Sequence, residues 1–162
     1  MWIIKWLAIV ALLLVVAVVL AGQLGFLRGQ PPSNMGVNDG RLKRPSITPN
    51  SVHSQADLWP GDAQQAYARV APLALKGDGP ATIARLKTLL EAMPGVAIVQ
   101  SRPDYVYATC QTKLLKFVDD FEAWFDPAAG VVQVRSASRI GRKDLGVNRA
   151  RVEALRVALA AS

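Results

Sequence analysis

The chain opens on an uninterrupted apolar run. From Trp6 to Gly22 no residue carries a charge or a strong hydrogen-bonding side chain, and between Lys5 and Arg28 only Gln23 breaks the pattern. As a helix rising about 1.5 Å per residue, these 22 residues would span roughly 33 Å, the hydrocarbon thickness of a bilayer. A helix satisfies its own backbone hydrogen bonds, as lipid demands, and Trp2 and Trp6 share one face beside Lys5, which suits the headgroup boundary. Residues 1–28 therefore predict a transmembrane anchor. From Gly29 to about Asp57 neither a helical nor an alternating period is visible, and Pro31, Pro32, Pro45 and Pro49 sit among Ser, Asn and Gly. That composition predicts an extended tether over 29–56.

Periodicity returns in 57–162. Ile83, Leu86, Leu89, Leu90 and Met93 recur at three- and four-residue steps before Pro94-Gly95, which predicts an amphipathic helix over 81–93. Segments 96–99, 105–112, 114–126 and 131–138 are rich in Val, Tyr, Phe and Thr and bounded by turn residues, which predicts four strands. A closing helix over 148–160 carries Val152, Leu155 and Leu159 on one face, with Asn148 as its N-cap. Helix and strand blocks that do not alternate predict an α+β domain: a four-stranded antiparallel sheet with two helices packed on one face.

The turn Asp126-Pro-Ala-Ala-Gly130 predicts a hairpin in which Asp126 pairs with Val131. That register puts Leu115, Phe117, Asp119, Phe121, Ala123 and Phe125 on a core face with Val132, Val134, Ser136 and Ser138. The other face carries Lys116, Val118, Asp120, Glu122 and Trp124 with Gln133, Arg135, Ala137 and Arg139. Glu122 then faces Arg135, and Asp120 lies diagonal to Arg135 and Arg139, on a face that is either solvated or functional.

Composition narrows the chemistry. With 51% hydrophobic and 19% charged residues in 162, chain-wide disorder is excluded. One cysteine, Cys110, excludes an intramolecular disulfide and a multi-cysteine zinc site. With His53 as the single imidazole and no clustered carboxylates, no metal and no cofactor are expected. The +7 balance, 19 Lys and Arg against 12 Asp and Glu, favours anionic partners: the membrane itself, a lipid headgroup, another anionic ligand or an envelope protein. Nucleic acid is disfavoured because few aromatics neighbour the basic segment.

The apolar run has a rival reading as a cleaved signal peptide, cut before Gly22 after Val19-Leu20-Ala21. Its length exceeds the usual signal core and favours a retained anchor. Leu20-Ala21-Gly22-Gln23 resembles a lipoprotein box with Gln23 where the acylated cysteine would stand. Arg28, Arg41, Lys43 and Arg44 argue for a cytoplasmic domain by the positive-inside rule, whereas the short basic head before a signal-like core argues for export. The expected location is a bacterial inner membrane with the domain facing the periplasm.

Asp119 on the apolar face must be hydrogen-bonded, ion-paired or protonated, which makes it either structural or a tuned acid or base. Asp120, Glu122, Arg135 and Arg139 form either cross-strand ion pairs or a grip on a charged ligand. The segment from Arg139 to Arg151, with Arg142, Lys143, Arg149 and two glycines, precedes a helix N-terminus where backbone amides can meet an anion, though it fits no nucleotide motif. His53 with Ser51 and Ser54 is a weak candidate for nucleophilic catalysis, and Cys110 reads as a small core hydrophobe.

Phe117-Val-Asp-Asp-Phe121, Val134-Arg-Ser-Ala-Ser-Arg139, Gly141, Asp144-Leu-Gly-Val-Asn-Arg149 and Arg151-Val-Glu153 resemble the signature of the domain of unknown function 1499 family. Gly40-Arg-Leu42, Pro49-Asn50 and Ser54-Gln-Ala56 are similar to its amino-terminal motif, in which Pro45 and Ser51 stand here where cysteines are common. The resemblance implies a small envelope-type or plastid protein and no assigned activity. It implies structural or functional weight at Asp119, Asp120, Arg135, Ser136, Ser138, Arg139, Gly141, Asp144, Gly146, Asn148, Arg149 and Glu153. The leading expectation is a non-enzymatic envelope module that binds an anionic ligand or partner through Arg135, Arg139, Arg142, Lys143, Asn148, Arg149 and Arg151. In that reading Asp119, Glu122, Ser136, Ser138, Gly141, Asp144, Gly146 and Glu153 are structural. The alternative is a hydrolase or transferase with Asp119 or Asp120 as acid or base.

Overall fold

A computed structural model describes residues 2–162. Helix α1 (Trp2–Gln23) is long and apolar enough to cross a membrane, with almost all of its surface uncovered. After it come β1 (Ser51–His53), a short 3-10 turn, α2 (Gln65–Ala68), α3 (Gly79–Glu91), β2 (Val96–Arg102), β3 (Tyr105–Gln111), β4 (Val118–Asp126), β5 (Val131–Ser138) and α4 (Val147–Ala161).

The sheet is antiparallel with order β1-β5-β4-β3-β2, so it has five strands where four were expected. The added strand comes from the segment read as a tether. Ser51, Val52 and His53 pair with Ala137, Ser136 and Arg135 and are all buried. Three residues flanked by Pro49 and polar neighbours are too short to show an alternating period, and β1 exists because β5 offers it a ladder. The β4–β5 register is as expected, with Asp126 opposite Val131 and Glu122 opposite Arg135. Strand β4 starts at Val118, because 113–115 turn and Lys116 takes a left-handed φ of 58°.

One face of the sheet meets α3 and α4. Ile83, Leu86 and Leu90 from α3 and Val152, Leu155 and Leu159 from α4 pack on Val106, Ala108, Phe121, Ala123, Val132 and Val134. Burying a side chain of this size contributes about 1.5–3 kcal/mol, so this layer is the principal source of stability. Helix α3 starts two residues before its expected position, with Asp78 accepting from Ala81 N at 2.7 Å. In α4 the N-cap is Gly146, left-handed at φ 83°, and not Asn148. Asn148 is the second residue of the helix and fully buried, with its side-chain amide donating to Asn50 O.

The second face, the charged one, is covered as well. Met35, Val37 and Leu42 pack on Tyr105, Tyr107 and Trp124, and Gly36 N donates to Glu122 Oε1 at 2.8 Å. Gln55 ties this strap down, accepting from Leu42 N and donating to Gly40 O. The segment 29–56 is therefore a packed strap and strand, and the charged face is neither solvated nor open to a ligand.

Candidate functional site

Two carboxylate clusters flank the sheet. On the strapped face Tyr105 Oη donates to Glu122 Oε1 at 2.7 Å, and Arg135 Nη1 approaches Glu122 Oε2 at 3.5 Å. Burial pushes the Glu122 carboxyl up from its ordinary value, against the pull of Arg135, Gly36 N–H and Tyr105. Beside it Arg139 clamps Asp120 with Nε at 2.9 Å from Oδ2 and Nη2 at 2.8 Å from Oδ1, while Tyr107 Oη donates to Oδ1 at 2.6 Å. Burial and the adjacent carboxylate push Tyr107 up to about 12, so the phenol stays a neutral donor.

On the helix face Arg151 Nη2 donates to Asp119 Oδ2 at 2.7 Å, and Arg151 Nη1 reaches Ser136 Oγ and Asn148 Oδ1. The Asn148 amide donates to Asn50 O and Ser138 Oγ, joining the residue before β1, the end of β5 and α4. Asp144 accepts from Tyr67 Oη and from Gly146 N and Asn148 N, so it fixes the entry to α4. Burial would raise Asp144, but these donors outweigh it and hold the carboxyl below its usual range.

Of the residues expected to bind a ligand, most are therefore occupied within the fold. Arg135 and Arg139 pair on the strapped face, Arg151 pairs with Asp119, Arg149 donates to the carbonyls of Tyr67 and Arg69, and Asn148 is fully buried. Arg142 and Lys143 remain exposed and make no ion pair among the described residues. Gly141 accepts from Asn50 Nδ2, and Glu153 pairs with Arg156. No group of three or more His, Cys, Asp or Glu able to hold a metal occurs among the described residues.

The other candidate nucleophiles are held apart from any such role. His53 is buried with Nδ1 accepting from Gln55 N, and burial together with Arg135 lowers its pKa to about 3. Ser51 Oγ accepts from Ser46 N and Ser54 Oγ donates to Gln133, so neither hydroxyl contacts the imidazole. Cys110 lies in the core, and burial pushes its thiol up to about 11.

What sequence reasoning missed is a cleft of about 310 Å³ at the end of the sheet where β4 starts and β5 ends. Thr112, Phe117, Ile140 and Val147 make its walls, with Asp119 and Lys143 at its polar edge. It is assembled from two loops far apart in sequence, 112–117 and 139–147, so only the basic character of the second loop signalled it. An acid or base acting there would need a carboxylate turned to a substrate, whereas Asp119 is turned to Arg151 and Asp120 points to the opposite face.

No curated protein and no solved structure matches the chain. The sequence model described as "Protein of unknown function (DUF1499)" matches residues 41–159, taking in β1, the whole sheet, both clusters and nearly all of α4. The chain belongs to the DUF1499 family.

Proposed function

We propose that this is a single-pass membrane protein of a bacterial envelope whose α+β domain is a non-enzymatic module that binds an anionic ligand or partner through Arg142 and Lys143. The observation that carries the reading is the contrast among the basic residues of 139–151: Arg139, Arg149 and Arg151 are consumed by the fold, while Lys143, which lines the cleft, and Arg142 next to it are exposed and have no carboxylate partner among the described residues. Charges so placed attract anions, whereas those in buried pairs specify structure. The hydrolase or transferase reading has less support, because Asp119 and Asp120 both face arginines.

A retained anchor is favoured over a removed leader by the fit of the helix end to the domain. Gly22 lies against Leu115, and Gln23 Nε2 donates to Leu114 O at 2.8 Å. The short basic head at Lys5 puts the domain outside the cytoplasm in this reading. Fusion of an export-dependent reporter after Ser162 should give activity on a chain of uncleaved size.

Binding is tested with sn-glycerol 3-phosphate and the full-length chain in phosphatidylcholine nanodiscs. The anion should raise the melting temperature of the wild type and leave that of R142A/K143A unmoved. Equal shifts in both proteins would refute the assignment.

A further inference from the structure

Resting on that reading of Arg142 and Lys143, we infer that the cleft beside Lys143 takes the headgroup and upper acyl chain of an anionic phospholipid from the leaflet in which α1 ends. The membrane end of the domain is set by contacts already in the fold. A side chain at Gly22 would stand 2.6 Å from Leu115 O, and one at Gly29 would stand 2.7 Å from Arg139 Cβ and Ile140 Cγ2. The chain leaving α1 is thus threaded between the same two loops, 112–117 and 139–147, that build the cleft.

Those loops carry what a bilayer surface would meet. Leu24, Phe26, Leu114 and Val147 are exposed, and Leu145 is 93% exposed. A lone exposed leucine needs no explanation, but apolar side chains gathered on two adjoining loops and the helix exit mark an interaction surface. Arg28, Lys113, Lys116, Arg142 and Lys143 lie on the same segments and form no ion pair among the described residues. Basic residues mixed with apolar ones beside a membrane-spanning segment favour an anionic leaflet. The acids at the cleft are already engaged, Asp119 by Arg151 and Asp144 by Tyr67 and the start of α4, so they do not neutralise this charge.

Two unfavourable backbone conformations lie on that surface. Among the described residues four non-glycines take a left-handed φ; Asn34 and Asp39 are types that tolerate it, while Lys116 and Leu145 are not, and both lie on the cleft loops. Leu145 accepts this conformation while burying nothing within the domain. The cleft itself suits a chain: a second hollow of about 300 Å³ shares Thr112 and Val147 with the first and runs past Ala150 and Ala154 to Met93. Each lies at the small end of the range of ligand sites, roughly 300–1,000 Å³.

The test uses full-length chains bearing a bimane label at L145C, L114C or A128C, reconstituted in vesicles whose phospholipids carry brominated acyl chains. Cys110 is buried, and the parent chain gives its background labelling. Ala128 lies at the β4–β5 hairpin tip, the whole of the nine-residue β4 away, or roughly 30 Å. In phosphatidylcholine vesicles containing phosphatidylglycerol, bromine should quench the labels at 145 and 114 several-fold more than the label at 128. R142A/K143A should bring quenching at 145 down to its level in phosphatidylcholine alone. Quenching at 145 no stronger than at 128, or no stronger with phosphatidylglycerol than without it, overturns the inference. If glycerol 3-phosphate still shifts the melt in that event, the anion-binding reading stands and only its lipid source falls; if it does not, both fall.

Discussion

At the scale of single residues, this fold is held by polar groups in places that sequence patterns assign to solvent. His53 shows the consequence for pH. Its folded pKa near 3 lies below the ordinary 6.5, so the unfolded chain binds a proton that the folded chain refuses between these values. Stability contributed by neutral His53 is complete above pH 6.5 and is lost as pH falls toward 3, by about 2 kcal/mol at pH 5. Raised Glu122 acts in the opposite sense, because its proton uptake on acidification favours the fold, so the His53 effect is best read as a difference. Urea denaturation of wild type and H53Q should show the stability gap between them changing by about that amount between pH 7.5 and pH 5; a constant gap would contradict the assignment. Arg135 offers a second check. R135M leaves the Glu122 carboxylate buried without its cation and should cost about 3–5 kcal/mol, and E122Q/R135M should recover part of it. The pairing of Glu122 with Arg135 was legible because a strand period of two and one hairpin turn fix who faces whom. Its burial was not, since the cover comes from Met35, Val37 and Leu42, residues with no period of their own. The partners Tyr105, Tyr107 and Asn50 were invisible for the same reason: each acts through a contact long in sequence.

At the scale of elements, the turn between α3 and β2 shows how tightly the sheet is joined to its helices. Gly95 has φ 75°, and a Cβ there would meet Gln111 O at 2.3 Å, while Gln111 N donates to Gly95 O at 2.7 Å. G95A should therefore cost more than the left-handed penalty of about 1–2 kcal/mol, because the backbone of β3 must also move. Gly130 in the hairpin has φ 65° and open space around it, so G130A should cost only that penalty. Thermal melts of both variants check this, and equal losses would deny the close approach. Long periodic elements were readable from the chain: α3, α4 and the β4–β5 hairpin satisfy local rules over several turns or pairs. Strand β1 breaks none of those rules, yet its three residues become a strand only because the edge of β5 is there to accept them.

At the scale of the molecule, the charged residues of the domain divide into two roles. Asp119, Asp120, Glu122, Arg135, Arg139 and Arg151 are paired inside the sheet layers, whereas Lys143 lines a cleft near the meeting of α1 with the domain and Arg142 lies exposed beside it in the chain. The apolar helix was plain in the sequence, but the cleft was not, because its two loops are brought together only by the antiparallel path of β4 and β5. The central claim is that buried pairs hold the fold while exposed cations bind. One measurement tests both halves: melting temperatures of the full-length chain in phosphatidylcholine nanodiscs, with and without sn-glycerol 3-phosphate, for R139A and for R142A/K143A. R139A should melt well below the wild type but keep the anion-induced shift, while R142A/K143A should melt with the wild type and lose it. An R139A protein of unchanged stability that no longer responds to the anion would contradict this division of roles.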